Sequence, residues 1–182
     1  MNILRRVFWF LNKFFIAPMF RLGLGIFIVN PLTGYIMTLK TQGRKTGKIR
    51  YTPVNYAIMD GNVYCMAGFG RRSHWYLNLK ANPNIEAILP GRAMAVQAEE
   101  VTDPEEGLLA GKLVIRNSGL AGFMEGYNPF NPPEEKLKKT LGRSPIIRLH
   151  PTGIGSSPAD PQGGLWLTIY CAVILILYLA FR

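Results

Sequence analysis

Apolar residues interspersed with polar ones make two stretches early in the chain, 35–41 and 49–59, strand-like and predict two β-strands. The segment between them carries Gly43 and Gly47, so the pair reads as a hairpin around a glycine-containing turn. Asp60-Gly61 is a second turn signal and leads into a third strand over 62–68. Ser73 is placed to cap a short helix that runs through Ala81 and stops before Pro83. Two further strands, 85–89 and 93–101, are joined at Pro90-Gly91, and Pro104 opens a helix to about Arg116. Residues 119–133 are rich in Gly, Asn and Pro and read as an irregular loop. A helical turn or more follows over 134–141, and a last strand closes at 144–150. About six antiparallel strands with inserted helices predict a mainly β fold, a small β-barrel.

The two ends follow a different pattern. Residues 165–181 hold no charge, and a helix of that length covers roughly 26 Å, near the hydrocarbon core of about 30 Å. Trp166 and Tyr178 suit the interfaces, so this segment is expected to be a transmembrane helix, with 151–164 as its linker. Residues 1–30 interrupt their apolar residues with Arg5, Arg6, Asn12, Lys13 and Arg21. They read as an amphipathic helix that either lies in the membrane interface, with Phe8, Trp9, Phe14 and Phe15 toward lipid, or packs on the domain. The expected organisation is therefore 1–30, a barrel over 31–150, the linker 151–164 and the anchor 165–181. It implies a cell-membrane protein with its barrel on the cytoplasmic side.

Charge sharpens the picture. The chain of 182 residues is formally +10, and no acidic residue precedes Asp60. The N-terminal third is expected to face phosphate, anionic lipid or nucleic acid. Nucleic acid ranks last, because the basic patch lacks interleaved stacking aromatics and any known binding module. Cys65 and Cys171 are poorly placed to pair, and no Cys/His spacing suggests a metal site.

The densest chemistry lies at 41–53, TQGRKTGKIRYTP. Arg44, Lys45, Lys48 and Arg50 surround the two glycines, with hydroxyls at Thr46 and Thr52. Glycines admit close backbone approach, and Arg and Lys give charge-assisted bonds to anions, so the segment reads as an anion cradle. Nucleophilic triads, paired catalytic carboxylates and the standard phosphate-loop and dinucleotide fingerprints are not indicated. An enzyme with these residues would rely on a cofactor for the hard chemical step.

LKTQGRKTGKIRYTPVNY, then GNVYCMAGFG, then HWYLNLKANPNIEA, resemble the deazaflavin-dependent nitroreductase family over roughly 37–150. That resemblance implies a split β-barrel oxidoreductase using reduced coenzyme F-420, with a quinone or nitroaromatic acceptor. It implies that Arg44, Lys45, Thr46, Gly47 and Arg50 grip the anionic tail of the cofactor. Thr52, Pro53, Val54 and Asn55 would flank the deazaflavin ring, with Ala67, Gly68, Phe69 and Gly70 at the opposite strand end. Trp75 and Asn78 would steady the tail side, and Tyr127 would line the acceptor pocket and donate a proton. Asn55 and Gly68-Phe69 depart from the family's usual residues beside the ring; Arg71 and Arg72 replace the lost cation, or Phe69 reshapes the substrate side. Plainer readings stand beside these: a solvated or lipid-facing basic turn, a core role for Trp75, a bridging Asn78, a structural Tyr127 and His150. Two other functions remain open, an FMN-dependent reductase on the same barrel and a non-catalytic membrane lipid-binding protein. A homodimer is a further expectation of the resemblance.

Overall fold

The computed structural model describes residues 3–156 and 164–181. Six strands close into an antiparallel barrel: β1 (Ile36–Gln42), β2 (Ile49–Met59), β3 (Asn62–Met66), β4 (Asn84–Leu89), β5 (Arg92–Glu100) and β6 (Ile146–Ile154), in the order β1-β2-β3-β6-β5-β4. The mainly β barrel with inserted helices is the architecture expected from the sequence. Residues of one parity point inward: Met37 and Leu39 of β1, Val63 and Cys65 of β3, Ala87 and Leu89 of β4, Ile147 and Leu149 of β6. They form the main core with Tyr76 and Leu79, contributed by the helix His74–Ala81. Burial pushes the Cys65 thiol up to about 12, so it is an apolar filler rather than a nucleophile.

Helices close the barrel. In chain order α1 is Ile3–Leu11, α2 Ala17–Arg21, α3 His74–Ala81, α4 Pro104–Arg116, α5 Leu120–Met124, α6 Glu134–Leu141 and α7 Gly164–Ala180. A π-helical turn, Asn12–Ile16, joins α1 to α2. Asp103 caps α4 by accepting hydrogen bonds from the Glu105 and Glu106 amides at 2.8 and 3.4 Å. Pro104 holds the first position, where no amide is needed. The apolar side of α4 (Ala110, Val114) packs on Ala57, Tyr64 and Ile146.

Several local expectations change. Ser73 precedes α3 as foreseen, but its hydroxyl donates to the Gly70 carbonyl at 2.7 Å and makes no cap bond. Strand β6 continues past Pro151 to Ile154. Proline lacks the amide a regular ladder needs, and the β5–β6 register shifts between Ala95 and Val96, where Val96 faces Pro151 and Ala95 faces Gly153. Within 119–133, expected as irregular, α5 forms as a single short helix. Gly119, at φ 55°, lets the chain enter it; a Cβ there would lie 2.4 Å from the Leu32 carbonyl oxygen.

Part of the N-terminal segment packs on the domain. Ala17, Pro18 and Phe20 are buried, and Phe20 packs with Ile88 and Ala93 on the outer barrel wall. Further toward the N-terminus, Trp9, Phe10, Phe14 and Phe15 are exposed. The expected transmembrane helix over 165–181 requires correction. Helix α7 is apolar but has 17 residues, about 26 Å long and short of a hydrocarbon core of about 30 Å. No helix among the described residues is long and apolar enough to cross a membrane. The Tyr170 hydroxyl donates to the Phe14 carbonyl at 3.1 Å, which ties α7 to the π-helical turn. Of the expected linker, 157–163 lies outside the described residues.

Candidate functional site

The β1–β2 turn is fixed by its own backbone. The Gly43 amide donates to the Lys48 carbonyl at 2.8 Å, and the Gly47 amide donates to the Gly43 carbonyl at 2.7 Å. Gly47 has φ 66°, a left-handed conformation that favours glycine. The turn holds Arg44, Lys45, Lys48 and Arg50 exposed around it. One cation is also tethered. Asn78, buried on α3, accepts from the Arg44 amide at 3.2 Å and from Arg44 Nη1 at 3.1 Å. Arg44 Nη1 also donates to the His74 carbonyl at 3.5 Å. Asn78 thus joins helix α3 to the turn and aims the guanidinium.

Arg44, Lys45, Thr46 and Arg50 open onto a cleft of about 830 Å³ together with Trp75 and Asn78. The other side of that cleft comes from the N-terminus: Trp9, Asn12, Lys13 and Arg21, with Trp166 of α7. Lys13 Nζ lies 4.7 Å from the centre of the Trp9 ring, and the Arg21 guanidinium lies 4.7 Å from that of Tyr51. Among the described residues lining this cleft there is no carboxylate. Five cations among the described lining residues give it a positive potential that favours anions.

A second cleft, of about 660 Å³, adjoins the first, and Thr52, Pro53, Phe69 and Trp75 line both. Its remaining walls include Val54, Asn55, Gly68 and Tyr127 from the expected set, with Phe15, Phe27, Ile36, Met66, Val114 and Ile115. The Asn55 side-chain amide donates to the Tyr35 carbonyl at 3.4 Å. Tyr127 contributes buried ring surface, while its hydroxyl is hydrogen-bonded to the Thr140 hydroxyl on α6. Three of the expected residues lie outside both clefts. Ala67 is fully buried in the core, Gly70 sits in a turn at φ 78°, and Gly47 stays within the hairpin turn.

Sequence reasoning placed the cationic turn but missed the other half of its cleft. Lys13 and Arg21 belong to the amphipathic pattern of 1–30, yet nothing in that pattern says which opening the segment covers. Glu125, on the wall of the second cleft, was also missed. It stands alone in a Gly- and Asn-rich stretch, where no spacing marks it.

The six-stranded barrel carries a cationic cleft beside an apolar one. The family model for F420H(2)-dependent quinone reductase matches residues 20–123. This span covers more than half of the chain, and the chain belongs to that family. Two relatives from Mycobacterium tuberculosis, strains CDC 1551 and H37Rv, both named as F420H(2)-dependent quinone reductase, are 37% identical over 75 residues, 38% of this chain and 50% of each relative. The chain therefore spans about half the length of the curated relatives it matches. Among solved structures, it is similar to an F420-H2 dependent reductase, with 25% identity, a TM-score of 0.46 and coverage of 67% of this chain and 99% of the other. It is also similar to a conserved hypothetical protein of Mycobacterium tuberculosis, with 17% identity, a TM-score of 0.47 and coverage of 66% and 74%.

Proposed function

We propose that the protein is an oxidoreductase that binds reduced coenzyme F-420 and reduces a quinone. The observation that carries this reading is the cationic cleft, with no carboxylate among its described lining residues, joined to an apolar one at Thr52, Pro53, Phe69 and Trp75. A phosphodiester tail ending in glutamates is polyanionic and suits Arg44, Lys45, Arg50, Lys13 and Arg21; charge-assisted bonds there contribute about 1.5–3 kcal/mol each at best. A deazaflavin ring suits the junction between Pro53 and Phe69, and when bound it supplies the hydride. The chain's own residues then have defined tasks. Asn78 holds Arg44 toward the tail, Thr52, Pro53, Val54 and Asn55 wall one side of the ring, and Gly68 and Phe69 wall the other.

Family membership supports a quinone as acceptor, and the apolar wall of the second cleft suits its ring and tail. A nitroaromatic is a smaller alternative for the same cleft. Exposed Trp9, Phe10, Phe14 and Phe15 support contact of the N-terminal segment with a lipid interface, from which a lipid-soluble quinone would enter. Binding of oxidised and reduced coenzyme F-420, measured by fluorescence beside FMN, together with turnover of menadione by the reduced cofactor, tests the reading. Saturable F-420 binding with turnover supports it; tighter binding of FMN moves the protein to flavin chemistry, and no binding of either removes the redox role.

A further inference from the structure

Reduction of a quinone to a hydroquinone takes a hydride and a proton, so the acceptor pocket needs an acid as well as a hydride source. Tyr127 is poorly placed to serve. Thr140 Oγ1 donates its own hydrogen to the Lys136 carbonyl at 3.0 Å, so the Tyr127 hydroxyl must donate to Thr140 Oγ1, and its proton is committed to α6. Glu125 differs. It follows α5, lines the second cleft and keeps its side chain open toward it. Its carboxyl has no ion pair or hydrogen bond among the described residues. It faces the strand end at Gly68, where a Cβ would lie 3.9 Å from Glu125 Oε1. Gly68 and Phe69 are the residues that wall the proposed ring position.

We propose that Glu125 is the catalytic acid of the acceptor pocket, giving its carboxyl proton to a quinone oxygen as hydride reaches the quinone. The quinone gains two electrons and two hydrogens, one as hydride from the reduced deazaflavin and one as the proton of Glu125. The resulting carboxylate takes a proton back from water at the cleft mouth. This inference rests on the quinone-reductase reading of the same site.

The surroundings raise the proton affinity of this carboxyl. Although Glu125 is open to the cleft, the water its carboxyl loses there shifts it above the ordinary carboxylate range. The cations of the neighbouring elements have partners of their own. Lys136 of α6 donates to the Gly126 carbonyl, and its Nζ lies 4.4 Å from the centre of the Tyr127 ring. Arg71, in the loop after β3, is paired with Glu100 at 2.5 Å and donates to the Tyr76 hydroxyl at 3.1 Å. Among the described residues lining the second cleft, Glu125 and Tyr127 are the two ionisable ones.

Glu125→Gln in the full chain tests the proposal, with a matching thermal melt confirming that the variant folds. In the infrared difference between wild type and variant without cofactor, a protonated carboxyl should persist above about pH 4.3, the ordinary glutamate midpoint. With menadione and reduced coenzyme F-420, kcat of the variant should fall about 100-fold while KM stays within about threefold, a typical loss for one general acid. The wild-type kcat should decline as pH rises through the infrared midpoint, and the variant should show no such step. Wild-type turnover that survives the substitution with its pH profile intact overturns the role of Glu125 and leaves the quinone-reductase reading standing. An ordinary infrared midpoint also overturns it. Absence of wild-type turnover removes both.

Discussion

Asn78 offers the sharpest separation between holding a cation and supplying a charge. Its side-chain oxygen accepts two hydrogen bonds from Arg44, one from the amide and one from the guanidinium, and the residue is buried. Asn78→Ala removes both. A neutral bond contributes about 0.5–1.5 kcal/mol and one to a charged group about 1.5–3. Arg44 is exposed and water can replace part of that loss, so a net destabilisation of about 1–2 kcal/mol is expected. For a chain of this size that lowers Tm by roughly 2–8 °C. Affinity for an anionic tail should fall about tenfold, equivalent to about 1.4 kcal/mol, as the guanidinium loses its fixed direction. Asn78→Asp is the informative partner. It keeps an acceptor for both Arg44 donors, so the melt should stay near wild type, but its carboxylate competes with the ligand for the guanidinium and affinity should fall at least as far as in the alanine variant. Thermal unfolding and fluorescence titration with coenzyme F-420 at two salt concentrations read both effects. Full affinity in both variants would refute the assignment of Asn78 as the residue that aims Arg44.

Thr38 is fully buried and its hydroxyl has no hydrogen-bond partner among the described residues; Thr38→Val should therefore raise stability by about 1 kcal/mol, read as a higher midpoint in urea. Glu99 is held below the ordinary carboxylate range, first by its hydrogen bond with His150 and then by Arg148. A lowered folded-state pKa gives stability that is present above the unfolded value and lost as pH falls through the folded one. Glu99→Gln should accordingly reduce stability at pH 7 but flatten the decline below about pH 4, measured by urea unfolding across that range. If the exposed aromatics of 1–30 contact lipid, the protein should float with vesicles containing anionic phosphatidylglycerol, and Trp9→Ser with Phe10→Ser should weaken that flotation at least severalfold.

The barrel was legible because its strands intersperse apolar with polar residues and their turns carry Gly, Asp-Gly and Pro-Gly signals. The cationic half of the site was legible for a similar reason, since Arg44 to Arg50 are contiguous and the hairpin keeps them together. Long-range placement was not. Lys13 and Arg21 share a cleft with Arg44 because Phe20 anchors α2 on Ile88 and Ala93, a contact between distant parts of the chain. Pro151 reads as a strand end by local rules, yet the register shift opposite it lets β6 continue. Gly119 and Gly122 read as loop residues, whereas at the entry to α5 and within it they serve close packing: a Cβ on Gly122 would meet Ser118 Oγ at 2.3 Å. The apolar run at 165–181 showed composition clearly, but the helix formed there is shorter than a membrane core.

The central claim is that the cations of the β1–β2 turn hold the anionic tail of coenzyme F-420. A fluorescence titration of the cofactor against wild type and the double variant Arg44→Ala, Lys45→Ala, repeated across salt concentrations, tests it most directly. The account predicts saturable wild-type binding that weakens as salt rises, with at least tenfold lower affinity and a shallower salt slope in the variant. Equal affinity and equal slope for the two proteins would contradict it.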